Sequence, residues 1–159
     1  MQTKDDAMVP LSVTCWPTQS SSDAVDVTLE YELNKDIELH DLLVSIPIPA
    51  DASHTITSAE VGQASKPSPY VWEEATYSRR EGMLQWSVPI VDQSNSSATM
   101  EFSVSAVSSA DVIFPISVNF SSRKTMCELE VNDVLSVDDN SSIPYSASTL
   151  LSIESYIIS

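Results

Sequence analysis

Val25-Asp-Val-Thr-Leu-Glu-Tyr-Glu-Leu33 decides the fold class. Val25, Val27, Leu29, Tyr31 and Leu33 occupy alternate positions, with Asp26, Thr28, Glu30 and Glu32 between them. Successive side chains of an extended strand face opposite sides, so one face of this stretch is apolar and the other acidic. It reads as a half-buried strand with its carboxylates toward water.

The same period of two recurs at Leu84, Trp86, Val88 and Ile90, at Met100, Phe102 and Val104, and at Phe114, Ile116, Val118 and Phe120. Further strands are expected at Val9 to Trp16, Leu42 to Ile48, Thr55 to Val61, Met126 to Val134 and Thr149 to Ile158. Valine, isoleucine, threonine and tyrosine suit a pleated, half-buried surface. Polar clusters at Ser20 to Ser22, Asp92 to Ser97 and Asp138 to Ser142 supply turns between the runs. Pro47, Pro49, Pro89 and Pro115 fall in or beside strands; lacking an N–H, they mark edges, bulges or strand ends. Many short strands with such turns predict an all-β antiparallel β-sandwich. The stretch from Gly62 to Arg80 is irregular and is expected to be a long, partly exposed loop or hairpin, the usual place for function on a sandwich.

Composition narrows the chemistry. Twenty-three acidic residues face seven basic ones among 159, for a net charge of −16. Such a field opposes contact with nucleic-acid phosphates and with anionic lipid. Two glycines, Gly62 and Gly82, cannot build a glycine-rich phosphate loop. Cys15 and Cys127 each sit in an apolar run and read as buried free thiols of a reducing compartment. Residues 1–8 are polar, so no signal peptide is visible, and no apolar run approaches the roughly 18 residues of a membrane span. A cytoplasmic protein is expected.

No catalytic constellation emerges. His40 and His54 read as solvated loop histidines, neither at metal-ligand spacing from a cysteine. The serines lack an identifiable activating base. Asp5-Asp6, Glu73-Glu74 and Asp138-Asp139 read as solvated acid rather than a calcium loop. The triplets at Asn95, Asn119 and Asn140 are glycan acceptors only if the chain is secreted. Trp86, in phase with Leu84 and Val88, reads as core; Trp16 suits either a core edge or the surface; Trp72 is the candidate exposed aromatic anchor. Neither a metal nor a cofactor is expected.

Several unconnected segments, in the same order, resemble the δ subunit of coatomer. They are Val9-Pro-Leu-Ser-Val-Thr-Cys-Trp-Pro17, Val27-Thr-Leu-Glu-Tyr-Glu-Leu33 and Leu43-Val-Ser-Ile-Pro-Ile-Pro49. Ser78-Arg-Arg-Glu-Gly-Met-Leu-Gln-Trp-Ser-Val-Pro-Ile-Val-Asp92 follows, then Asn95, Ser97, Met100, Glu101, Phe102 and Phe114-Pro-Ile-Ser-Val118. The resemblance implies the C-terminal part of a μ-homology domain of the COPI coat. Residues 1–7 would be linker, 8–122 an inserted β-sandwich subdomain, and 123–159 the terminal strands of the other subdomain, left with an exposed edge. It implies a non-enzymatic module in Golgi-to-endoplasmic-reticulum retrograde transport, peripheral on Golgi membranes and COPI vesicles. The implied partners are other coatomer subunits and short tryptophan-containing acidic motifs of coat regulators and tethers, with no nucleic acid and no membrane insertion. Arg79, Arg80 and Trp72 are the expected contacts. Two departures stand out: residues 145–159 hold no tryptophan or arginine, so the Trp-x-Arg pocket of clathrin-adaptor medium chains is not carried over, and Pro67 to Tyr77 looks like an insertion. The rival reading is a secreted, glycosylated sandwich with loop calcium and a Cys15–Cys127 disulfide.

Overall fold

In the computed structural model, which describes residues 9–61, 74–78, 80–125 and 131–159, the alternating runs pair into two antiparallel sheets. The strands are β1 (Leu11–Ser21), β2 (Ala24–Leu33), β3 (Leu39–Pro47), β4 (Ser53–Val61), β5 (Glu74–Ser78), β6 (Met83–Val91), β7 (Ser97–Ser105), β8 (Ile116–Ser122) and β9 (Leu151–Ile158). One sheet has the order β1-β2-β7-β4, the other β5-β6-β3-β8-β9. A 3-10 helix, Ala110–Ile113, precedes β8; Ser109 caps it by accepting the Asp111 N–H, and Ile113 is buried.

The period-two faces meet between the sheets. Val25, Val27, Leu29 and Tyr31 of β2 and Met100, Phe102 and Val104 of β7 are buried in one cluster with Leu42, Val44 and Ile46 of β3, Leu84, Trp86 and Val88 of β6, and Ile116 and Val118 of β8. Each such side chain contributes about 1.5–3 kcal/mol on leaving water. Tyr31 and Trp86 join the sheets, with ring centroids 5.4 Å apart. The outward sides differ in charge. On the four-stranded sheet, β2 and β7 present Asp26, Glu30, Glu32 and Glu101; on the five-stranded sheet, β3, β6 and β8 present Leu43, Gln85, Ser87, Ser117 and Asn119.

Pro89 shows how one residue shapes a strand. β5 covers β6 only from Met83 to Ser87, so Pro89 lies past the end of that neighbour. On the β3 side His40 pairs with Ile90 and Leu42 with Val88, and Asp41 between them adopts φ 53°. The same residue bulges against β8, where His40 pairs with Ser121 and Leu43 with Asn119. A proline with no N–H to give and a bulged residue opposite it thus share one irregularity.

The stretch from Gly62 to Arg80, read as a loop or hairpin, contains β5, five residues long and paired antiparallel with β6 as the first arm of a hairpin. Its Ala75 and Tyr77 alternate inward, a signal too brief to separate from its surroundings by period alone. The strand expected at Met126 to Val134 falls partly outside the described residues, and the described part, 131–134, forms no strand; Val131 and Val134 are exposed. β9 lies antiparallel to β8 at the margin of the five-stranded sheet.

Candidate interaction surface

Of the three expected contacts, Trp72 and Arg79 lie outside the described residues. Arg80 is exposed in the turn between β5 and β6. That turn is fixed by backbone: Glu81 N–H donates to Ser78 O at 3.2 Å, and Ile48 N–H to Gly82 O at 2.8 Å. Gly82 has φ +62°, and a Cβ there would meet Ile48 O at 3.3 Å, so glycine suits the crossing both by conformation and by space. The turn therefore holds Arg80 beside the exit of β3.

Three other cations gather at the opposite end. Lys35 lies between β2 and β3, and Arg123 and Lys124 follow β8 directly. β3 spans the interval between the two ends, about 26 Å at about 3.3 Å per residue. Lys124 joins Asp36, Ile37, Glu38, Asp92, Gln93 and Ser94 around an open cleft of about 370 Å³. The Gln93 amide donates to Lys35 O at 3.3 Å, which ties the two connecting loops together. Among the described residues the single contact of this kind is His40–Glu38, at 2.9 Å, an ion pair only when the imidazole is protonated, so Lys35, Arg80, Arg123 and Lys124 are paired with no described carboxylate. Sequence reasoning passed over Arg123-Lys124, although two adjacent cations in so acidic a chain are a visible signal.

The histidines are not loop residues. His40 sits in β3 and His54 in β4, where its ring lies 4.2 Å from that of Tyr77 and links the margins of the two sheets. Glu38 reaches His40 Nε2 by distance, yet that nitrogen has no aligned hydrogen-bond acceptor; the ion pair is off the line of the N–H. No group of three or more His, Cys, Asp or Glu able to hold a metal occurs among the described residues. No described helix is long and apolar enough to cross a membrane.

Asn95 is buried, its side chain spent on the backbone of Asp92 and Ile90, so it cannot carry a glycan. Asn140 is exposed with φ 55°, and Asn119 lies within β8. Trp86 is fully buried and Trp16 about half exposed, facing out from β1. Cys15 carries a free thiol, half-buried against the core, and burial pushes it up to about 11; Cys127 is outside the described residues. Since the thiolate is the nucleophile, Cys15 is expected to react with iodoacetamide at pH 7.5 about a hundredfold more slowly in the folded chain than in urea. Peptide mass mapping of timed samples measures this; equal rates would show the thiol free in solvent.

Comparison with known proteins places the fold. Residues 2–155 match the adaptor complexes medium subunit family. A probable coatomer subunit delta of Caenorhabditis elegans is 34% identical over 159 residues, 99% of this chain and 28% of the relative. Coatomer subunit delta of Arabidopsis thaliana is 36% identical over 135 residues, 85% of this chain and 23% of the relative. The chain thus spans about a quarter of the length of these curated relatives. The yeast δ-COP-I μ-homology domain, solved in complex with a Dsl1 WxWxV peptide, superposes with a TM-score of 0.72 at 20% identity, covering 98% of this chain and 59% of that one. The chain belongs to the adaptor complexes medium subunit family, with a μ-homology-domain fold and coatomer δ subunits as its relatives.

Proposed function

We propose that this chain is a non-enzymatic module of the COPI coat that binds short tryptophan-containing acidic peptides of coat regulators and tethers, in cytoplasmic Golgi-to-endoplasmic-reticulum traffic. The observation that carries this is the likeness to coatomer δ subunits along nearly the whole chain. The solved yeast domain with its WxWxV peptide supplies the ligand class. Supporting it physically, Arg80 is exposed on a turn held by two backbone hydrogen bonds and is paired with no described carboxylate in a chain of net charge −16. An acidic peptide meets repulsion over most of such a surface, so an accessible cation sets where it can approach. Arg79 and Arg80 are assigned to the acidic positions and Trp72 to an aromatic contact.

Isothermal titration with a WxWxV peptide flanked by glutamates tests the reading. The expected result is saturable binding, with Arg79→Glu/Arg80→Glu weakening it at least about tenfold, the loss expected on reversing charges at a contact. Binding that survives both reversals moves the contact elsewhere. A folded chain that does not bind overturns peptide recognition by this part of the domain.

A further inference from the structure

Ten large apolar side chains are exposed among the described residues, and eight of them lie between Val131 and Ile157. Val131 to Tyr145 fold back into a ribbon bridged at Leu135 and Ser142, and Thr149 Oγ1 donates to Arg123 O at 2.6 Å, tying the return of the chain to the end of β8. This chain covers 59% of the matched yeast domain, so the exposure of that series calls for no partner beyond the remainder of the domain. Ile90 is turned outward directly after Pro89. Trp16 is the tenth, and neither reason accounts for it. It sits mid-strand in β1, 48% exposed, in a sheet whose four strands all lie within residues 11–105.

Strand pairing sets what surrounds Trp16. It lies opposite Thr28, and Thr28 lies opposite Glu101; two residues along in either direction, Thr14 lies opposite Glu30 and Thr18 opposite Asp26. Neighbouring strands are about 4.8 Å apart and diagonal neighbours on one face about 7–8 Å, which brings Asp26, Glu30 and Glu101 within about 10 Å of Trp16 at the backbone. Glu32 extends the acidic row along β2. Every other outward position from Ser12 to Thr18, Asp26 to Glu32 and Ser97 to Ser103 is serine or threonine, and none is lysine or arginine. An indole exposed among carboxylates attracts a cation in two ways, through the ring quadrupole and through charge.

Charge and position identify the occupant. A second copy brings another net charge of −16, and anionic lipid is negative as well; both are repelled. The apolar series at 131–157 is tied to the five-stranded sheet, where β9 pairs with β8, while the Trp16 face points away from that sheet across the core. A body packed on the first leaves the second open. Under any cover that brought no cation, the carboxylates would lose water without compensation. We propose that the Trp16 face of the four-stranded sheet is a docking surface for an extended segment of another protein that carries lysine or arginine. One cation stacks on the Trp16 indole, and its neighbours meet Asp26, Glu30 and Glu101. Arg80 lies in the β5–β6 turn of the other sheet, so this surface stands or falls independently of the tryptophan-peptide reading.

The test uses the full chain and two twelve-residue probes, alternating serine–lysine and alternating serine–glutamate, titrated by calorimetry at 50 and 300 mM salt. The lysine peptide is expected to bind at least about tenfold more tightly than the glutamate peptide, with the gap narrowing at high salt. Net charge alone draws lysine to the whole chain, so location decides. Glu30→Gln/Glu101→Gln is expected to weaken binding at least about fivefold, and Asp51→Asn/Asp138→Asn, which removes equal charge from two exposed turns, less than about twofold. Trp16→Ala is expected to weaken it at least about threefold and Trp16→Phe less, because a phenyl ring keeps a π face. The glutamine pair keeps side-chain size on an outward face and is expected to leave the melting temperature in place. Equal binding of the two probes, equal losses from the two charge-matched pairs, unchanged binding by Trp16→Ala, or binding to phosphatidylserine vesicles would each overturn the proposal.

Discussion

Trp86→Ala is expected to cost about 3–5 kcal/mol of stability, and Trp86→Phe far less than its lost volume suggests. Trp86 is fully buried at the meeting of the sheets, with Tyr31 5.4 Å away across the core. Alanine there leaves a cavity that two hydrogen-bonded sheets cannot close by collapse. The indole N–H, however, has no hydrogen-bond acceptor among the described residues. A buried donor left unpaired costs about 1–3 kcal/mol, and phenylalanine removes that donor along with part of the ring. The two terms oppose, so the phenylalanine variant is expected within about 2 kcal/mol of wild type. Urea unfolding followed by far-ultraviolet circular dichroism measures both. If phenylalanine costs as much as alanine, the indole N–H has an acceptor and the offset does not exist.

The core was legible because its signal is geometrical. Five residues from Val25 to Leu33 alternate without error, and all five are buried on one sheet face. The same holds for Leu84, Trp86 and Val88 of β6, and Ile116, Val118 and Phe120 of β8. Ile90, counted in that alternation, is exposed instead, because β6 changes phase after Pro89: Val88 and Val91 are both buried. A proline announces an irregularity but not which way the next side chain turns. β5 was hidden for a different reason: its inward pair, Ala75 and Tyr77, is too short an alternation to stand out, and its pairing with β6 is not written in its own sequence.

The interaction surface was less legible. Arg80 was named from sequence as an expected contact, and it is exposed in a turn. The convergence of Lys35 with Arg123 and Lys124 depends on antiparallel returns that bring positions 88 residues apart to one end of the sandwich, a distance no local pattern records. The apolar ribbon was misread in part as a strand because Val131 and Val134 look like core residues. Among the described residues no sheet covers them.

Asn95→Ala is expected to cost about 2–4 kcal/mol, a large effect for a polar residue in a turn. The side chain lies 4% exposed in the connection from β6 to β7. Its Oδ1 accepts the Asp92 N–H at 2.8 Å and its Nδ2 donates to Ile90 O at 2.8 Å, so one amide closes the turn from both sides. Its own carbonyl accepts the Tyr31 hydroxyl at 3.2 Å, which ties the turn to the opposite sheet. Alanine leaves Asp92 N–H and Ile90 O without those partners in a part-buried site. Asn95→Asp separates the two bonds by pH. An ionised aspartate can still accept from Asp92 but cannot donate to Ile90, and it places a charge where water is scarce, so its folded pKa lies above the unfolded value of about 3.9. A raised folded pKa contributes stability below the unfolded value and loses it as pH rises through the folded one. The aspartate variant is therefore expected near wild type at about pH 4 and well below it at pH 7, each compared with wild type at the same pH. Thermal melts across that range decide it. A deficit independent of pH would mean that the turn opens to water and that Asn95 does not hold the two sheets in register.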